Sequence, residues 1–159
     1  MLISKIKYMQ KITPCLWFEK DLPNVIEYYK SIFKDNLNIV YLGGLENGPG
    51  GEFQFGTIEL FGTCYDLLAA GPVFKFTEAI SLTIRCEDQA ETDYYWGALT
   101  SNGGTESVCG WCKDKYGLSW QVEPRRLREL STSSDKEKRD YAMQQMFQMK
   151  KIVIKDLEE

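Results

Sequence analysis

The chain is written twice. A strand-like run, a helix opened by an acidic residue and carrying a Tyr-Tyr pair, and further strand-like runs fill residues 12–71. The same order recurs over residues 79–124, with Tyr28-Tyr29 and Tyr94-Tyr95 in matching places. Such a repeat restricts the fold to copies of one βαβββ unit. Two of these units side by side can enclose a ligand cavity, so the repeat predicts a site before any motif is read.

Local signals support each copy. Ile12, Leu16 and Phe18 alternate with Thr13, Cys15 and Trp17, as a strand with one face on a helix requires. Asp21 is a candidate N-cap with Pro23 in the first turn, and Leu22, Val25, Ile26, Tyr29 and Phe33 recur at helical spacing up to Lys34. Strands are expected over residues 37–42, 53–60 and 63–70, with Gly43-Gly44 and the Asn47-Gly48-Pro49-Gly50-Gly51 run read as turns. In the second copy residues 79–86 alternate, Asp88 and Glu91 have capping-box spacing, and Asn102-Gly103-Gly104 stops the helix. Short strands follow near residues 105–108, 110–113 and 118–122, with a turn at Tyr116-Gly117 and a solvated Lys113-Asp114-Lys115. Beyond Pro124 the pattern predicts a helix over residues 136–150, with Met143, Met146, Phe147 and Lys150 on one face, and a last strand at Ile152-Val153-Ile154.

Composition narrows the function. With 159 residues, 43% of them hydrophobic, the chain can bury a sizeable core and reads as a single domain over residues 1–159 with a C-terminal helix and strand at 131–157. A net charge of −4 provides no basic excess to neutralise phosphates, so nucleic acid is not the expected partner. Residues 1–11 carry three lysines but no long apolar run; they read as an N-terminal extension, and no membrane partner is expected. Five cysteines cannot all pair within one chain, which points to reduced thiols and a cytoplasmic location. The Cys109-Gly110-Trp111-Cys112 spacing is that of redox dithiols and half zinc sites, but it leads into a strand and lacks a second ligand pair, so buried or edge thiols are the reading.

The segments Ile12-Thr13-Pro14-Cys15-Leu16-Trp17-Phe18, Gly71-Pro72-Val73-Phe74-Lys75-Phe76-Thr77-Glu78-Ala79-Ile80-Ser81 and Cys109-Gly110-Trp111, with Lys113-Asp114-Lys115-Tyr116-Gly117-Leu118-Ser119-Trp120-Gln121, carry a resemblance. They resemble the PhnB-like, demethylubiquinone-methyltransferase-like branch of the vicinal oxygen chelate, or glyoxalase-like, superfamily. The resemblance implies an α+β fold of paired βαβββ modules forming a curved mixed sheet around a cavity, and a homodimer. Metal-dependent relatives place His, Glu or Gln on the first and fourth strands of each module. Matched onto this chain those positions hold Thr13, Leu67, Ala79 and Gln121, of which only Gln121 is a ligand of that kind, so no metal and no cofactor is expected. Nor is there a glycine-rich strand-to-helix turn for S-adenosylmethionine.

The expected ligand is therefore a small organic molecule in a metal-free cavity between the two modules, with Thr13, Cys15, Trp17, Leu67, Ala79 and Gln121 as the binding residues. Trp111, Trp120, Tyr65 and Phe55 are further aromatic candidates, with core packing the stronger reading for each. The alternative is an enzyme of the superfamily, a lyase, isomerase or methyltransferase acting on a small organic substrate, which would bring Asp66, Glu78 or Glu123 inward. A dimeric structural module is a third reading.

Overall fold

The alternation around Leu16 becomes strand β1 (Cys15–Phe18), with Leu16 and Phe18 buried and Cys15 exposed. The computed structural model describes residues 10–48 and 51–158, so the N-terminal extension and the Pro49-Gly50 part of the expected turn lie outside the described residues. The chain divides into two units, residues 1–75 and 76–159.

In the first unit, helix α1 (Leu22–Phe33) starts where expected. Asp21 accepts a hydrogen bond from Asn24 N, and Pro23 sits in the first turn, where its missing N–H costs nothing. Gln54 Oε1 accepts from Leu22 N at 2.7 Å, satisfying another orphan donor of the helix start. Strands β2 (Leu37–Gly48), β3 (Gly51–Leu60) and β4 (Thr63–Ala69) complete a sheet of order β1-β4-β3-β2, parallel between β1 and β4 and antiparallel elsewhere. α1 covers the face carrying Leu16, Phe18, Ile58 and Leu67, and Tyr29 meets Phe18 edge to face.

The sequence reading ends β2 too early. Gly43 and Gly44 are not a turn but pair with Phe55 and Gln54 in the ladder. Their lack of side chains reflects packing: a Cβ on Gly44 would stand 2.9 Å from Phe53 O, and one on Gly43 would strike the Tyr41 ring.

The second unit repeats the topology with β5 (Leu82–Cys86), α2 (Gln89–Thr100), β6 (Thr105–Glu106), β7 (Trp111–Lys113) and β8 (Ser119–Pro124), in the order β5-β8-β7-β6. β5 starts at Leu82, so Ala79 and Ile80 lie in the preceding exposed loop. The expected capping box forms with a shifted return arm. Asp88 accepts from Glu91 N at 2.9 Å, while Glu91 accepts from Glu87 N at 2.7 Å. Asn102 and Gly103 both adopt left-handed φ values, 52° and 104°, and end the helix as predicted.

The C-terminal segment departs most from expectation. A helix, α3 (Arg125–Ser131), follows β8; it buries only Leu127 and Leu130, too few apolar positions to mark a period. α4 (Lys136–Met146) ends short of residue 150. The expected strand at Ile152-Val153-Ile154 is absent, and Ile154–Asp156 is a short 3-10 turn. Gln89 replaces a neighbouring strand: its Nε2 donates to Ile152 O at 3.1 Å and its Oε1 accepts from Ile154 N at 2.7 Å. Further bonds run from Cys109 N to Met149 O and from Gly110 N to Lys150 O, and Ile152 packs with Leu127, Leu130, Ala142 and Leu157. The segment therefore covers its own unit.

Candidate ligand cleft

Strand parity builds the site. Along β8, Trp120 and Val122 are buried on the side of α2, so Ser119, Gln121 and Glu123 take the other face; along β7 Cys112 is buried while Trp111 and Lys113 alternate with it. In the antiparallel register Trp111 stands opposite Gln121, and Lys113 opposite Ser119. These two cross-strand pairs floor a cleft of about 630 Å³, walled by Leu127 of α3, by Met143 and Met146 of α4, and by Phe147.

The turn joining β7 to β8 is held by a buried carboxylate, which corrects the reading of Lys113-Asp114-Lys115 as a solvated turn. Asp114 is 2% exposed. Its Oδ1 accepts from Tyr116 N at 2.9 Å and Leu118 N at 3.2 Å, and its Oδ2 from Trp120 Nε1 at 2.8 Å. Three donors around one carboxylate fix where Lys113 leaves the sheet and Ser119 re-enters it.

Every ionised side chain lining the cleft has a partner of opposite charge. Lys113 Nζ pairs with Glu78, and its hydrogen bond holds the Glu78 carboxyl below its ordinary range. Arg85 Nη1 meets Glu123 Oε2 at 2.8 Å. Gln121 Nε2 donates to Ser81 Oγ at 2.8 Å. Ser119 differs: it is 1% exposed, and its Oγ has no hydrogen-bond partner among the described residues.

Of the residues expected to bind ligand, Gln121 lines this cleft. Thr13, Cys15, Trp17 and Leu67 belong to the first unit. There Thr13 Oγ1 donates to Gln10 O at 3.3 Å, and Trp17 Nε1 donates to Gly71 O at 3.0 Å with its ring edge-on to Phe74. Cys15 is exposed on the residue scale, but partial desolvation of its sulfur, and secondarily the charge of Asp66, raises its thiol pKa. Leu67 is 0% exposed in the core beneath α1 and presents no surface to a ligand; even parity along β4 places it there. Ala79 is exposed in the loop before β5 and adds only a methyl group. Trp111 lines the cleft, whereas Trp120 is a core residue tied to Asp114. Ser119, Lys113 and Met143 also line the cleft and are not among the residues the sequence singles out, although Ser119 shares the parity of Gln121.

The residues at the four superfamily metal positions do not fit a divalent ion. They are a hydroxyl bonded to a backbone carbonyl, an aliphatic chain, a methyl and one amide, and among the described residues no three His, Cys, Asp or Glu side chains gather. The carboxylates needed by the enzymatic alternative are engaged: Asp66 accepts from Thr57 Oγ1 at 2.7 Å, Glu78 pairs with Lys113 and Glu123 with Arg85. Cys109 and Cys112 are both free, and burial in the sheet, with Asp114 and Glu106 nearby, pushes the Cys112 thiol up to about 12, opposite to the lowered pKa that activates a redox thiol. Nor do the strand-to-helix connections, Glu19-Lys20-Asp21 and Glu87-Asp88, contain the glycines that would cradle an adenosyl cofactor.

Paired βαβββ units with a ligand-sized cleft beside the fourth strand define a glyoxalase-like protein of the vicinal oxygen chelate class. The model of the family described as 3-demethylubiquinone-9 3-methyltransferase matches residues 10–123, and the chain belongs to that PhnB-like family. The PhnB protein from Bacillus cereus is 32% identical, with 72% of this chain and 99% of that chain covered at a TM-score of 0.64. Protein PA1353 from Pseudomonas aeruginosa, 15% identical, superimposes over 73% of this chain and 98% of its own with a TM-score of 0.58. The fosfomycin resistance protein FosX from Listeria monocytogenes, 14% identical, shares the fold over 71% of this chain and 91% of its own at 0.53. No curated protein matches the chain.

Proposed function

We propose that this PhnB-like chain binds a small organic molecule in the cleft between the β7–β8 face and α4, without a metal ion, and that it works as a homodimer in the cytoplasm. The cleft carries the reading. At about 630 Å³ it falls inside the range of small-molecule sites, with an apolar wall and a few polar groups on rigid strands. Five free thiols favour a reducing compartment. Apolar side chains exposed along β2, among them Val40, Tyr41 and Leu45, favour a partner surface.

Native mass spectrometry of the purified chain tests this. The expected spectrum is a dimer free of divalent metal that takes up neutral organic molecules, with uptake lost when Met146→Trp fills the cleft. One tightly held divalent ion per subunit would overturn the metal-free reading, and uptake unchanged by Met146→Trp would overturn the location.

A further inference from the structure

We propose that the outer edge of β2 is the seam of the homodimer, where the β2 strands of two copies pair antiparallel and join two four-stranded sheets into one. The inference rests on the homodimer reading above and names the surface that makes it. β2 ends its sheet and, among the described residues, pairs on one side only, with β3. The other sheet edges are short, β1 with 4 residues, β5 with 5 and β6 with 2, whereas β2 has 12. A long edge leaves a row of backbone donors and acceptors open to another strand, and proteins that keep such an edge single guard it with Lys, Pro or a bulge. β2 contains neither Lys nor Pro, and its bulge at Val40 lies before the regular stretch from Tyr41 to Leu45.

That stretch fits a second copy of itself. A twofold axis sets a surface against its own image, so the surface must tolerate its own charges and match its own shape. Glu46 is the one charged residue of β2, and antiparallel pairing centred on Gly43 sets it opposite Val40 of the other copy rather than opposite its own counterpart. The same register sets Tyr41 opposite Leu45 on the face away from α1, an aromatic–aliphatic cross-strand pair, and Leu42 opposite Gly44 on the other face. In the single chain these side chains are open: Val40 is 50% exposed, Tyr41 51%, Leu42 40% and Leu45 60%. With Ile39 they leave on the order of 500 Å² at the edge of each copy, so a symmetric contact removes on the order of 1,000 Å², where specific interfaces begin.

Native mass spectrometry and amide hydrogen exchange of the full chain over a dilution series test the seam. A dimer is expected, with the amides of residues 41–45 exchanging at least about tenfold more slowly in the dimer than in the dissociated chain. Leu42→Lys, or Leu45→Lys if the first does not fold, should weaken the dimer at least about a hundredfold, because a symmetric contact receives the charge twice. Ile80→Lys, which changes an exposed apolar residue of the loop before β5, should leave the dimer intact. A dimer that survives the β2 lysines, that Ile80→Lys weakens equally, or whose β2 amides exchange alike at every dilution overturns the seam while leaving the homodimer reading in place. A monomer at every concentration overturns both and leaves the edge to a strand of a different protein.

Discussion

Asp114 offers the sharpest test of how the site is built. Replacing it with Ala strands three donors at once, the Trp120 indole in the core and the amides of Tyr116 and Leu118. Each bond to a charged acceptor is worth about 1.5 to 3 kcal/mol, and water can enter the turn to satisfy part of the loss, so the expected cost is about 3 to 5 kcal/mol. Asp114→Asn keeps one carbonyl oxygen for the two amides but turns an NH2 toward the indole N–H, and should cost about 2 kcal/mol. Urea unfolding followed by tryptophan fluorescence gives both values; with a slope near 2 kcal/mol/M the Ala midpoint falls by roughly 2 M. Combining Asp114→Asn with Trp120→Phe isolates the indole bond, and the two changes together should cost less than their sum. Asp114 variants within about 0.5 kcal/mol of the parent would refute the claim that this carboxylate organises the β7–β8 turn.

Burial lifts the Cys86 thiol to about 11 and the Cys112 thiol to about 12 from an ordinary 9.0, so the folded chain holds these protons more tightly than the unfolded one. Stability should be undiminished below pH 9.0 and fall as pH rises through the window between 9.0 and those values, and Cys112→Ala should flatten that fall in urea midpoints taken across it. Gly104→Ala places a Cβ 2.0 Å from Leu99 O, a clash with backbone that should cost at least about 2 kcal/mol, read as a lowered thermal midpoint. Gln89→Leu deletes both bonds to the C-terminal segment, costs about 1 to 2 kcal/mol, and should speed amide exchange at Ile154 more than in β8.

Much of the architecture was legible in the sequence because the signals concerned are local. Alternation around Leu16, the caps at Asp21 and Asp88, and the glycine stop after Asn102 act within a few residues, so periodicity and side-chain chemistry alone predict them. The repeat extended those predictions to the whole βαβββ order, and strand parity placed Gln121 opposite in facing to Trp120. What failed depended on distant partners. Gly43-Gly44 looks like a turn until β3 pairs with it; Ile152-Val153-Ile154 looks like a strand until a glutamine 63 positions earlier satisfies its backbone. Lys113-Asp114-Lys115 looks solvated until the Trp120 indole reaches the carboxylate. The cleft belongs to the same category. Sequence could set Ser119 and Gln121 on one face, but only the packing of α3 and α4 against that face makes it the floor of a cleft, since that is a relation between residues far apart in the chain.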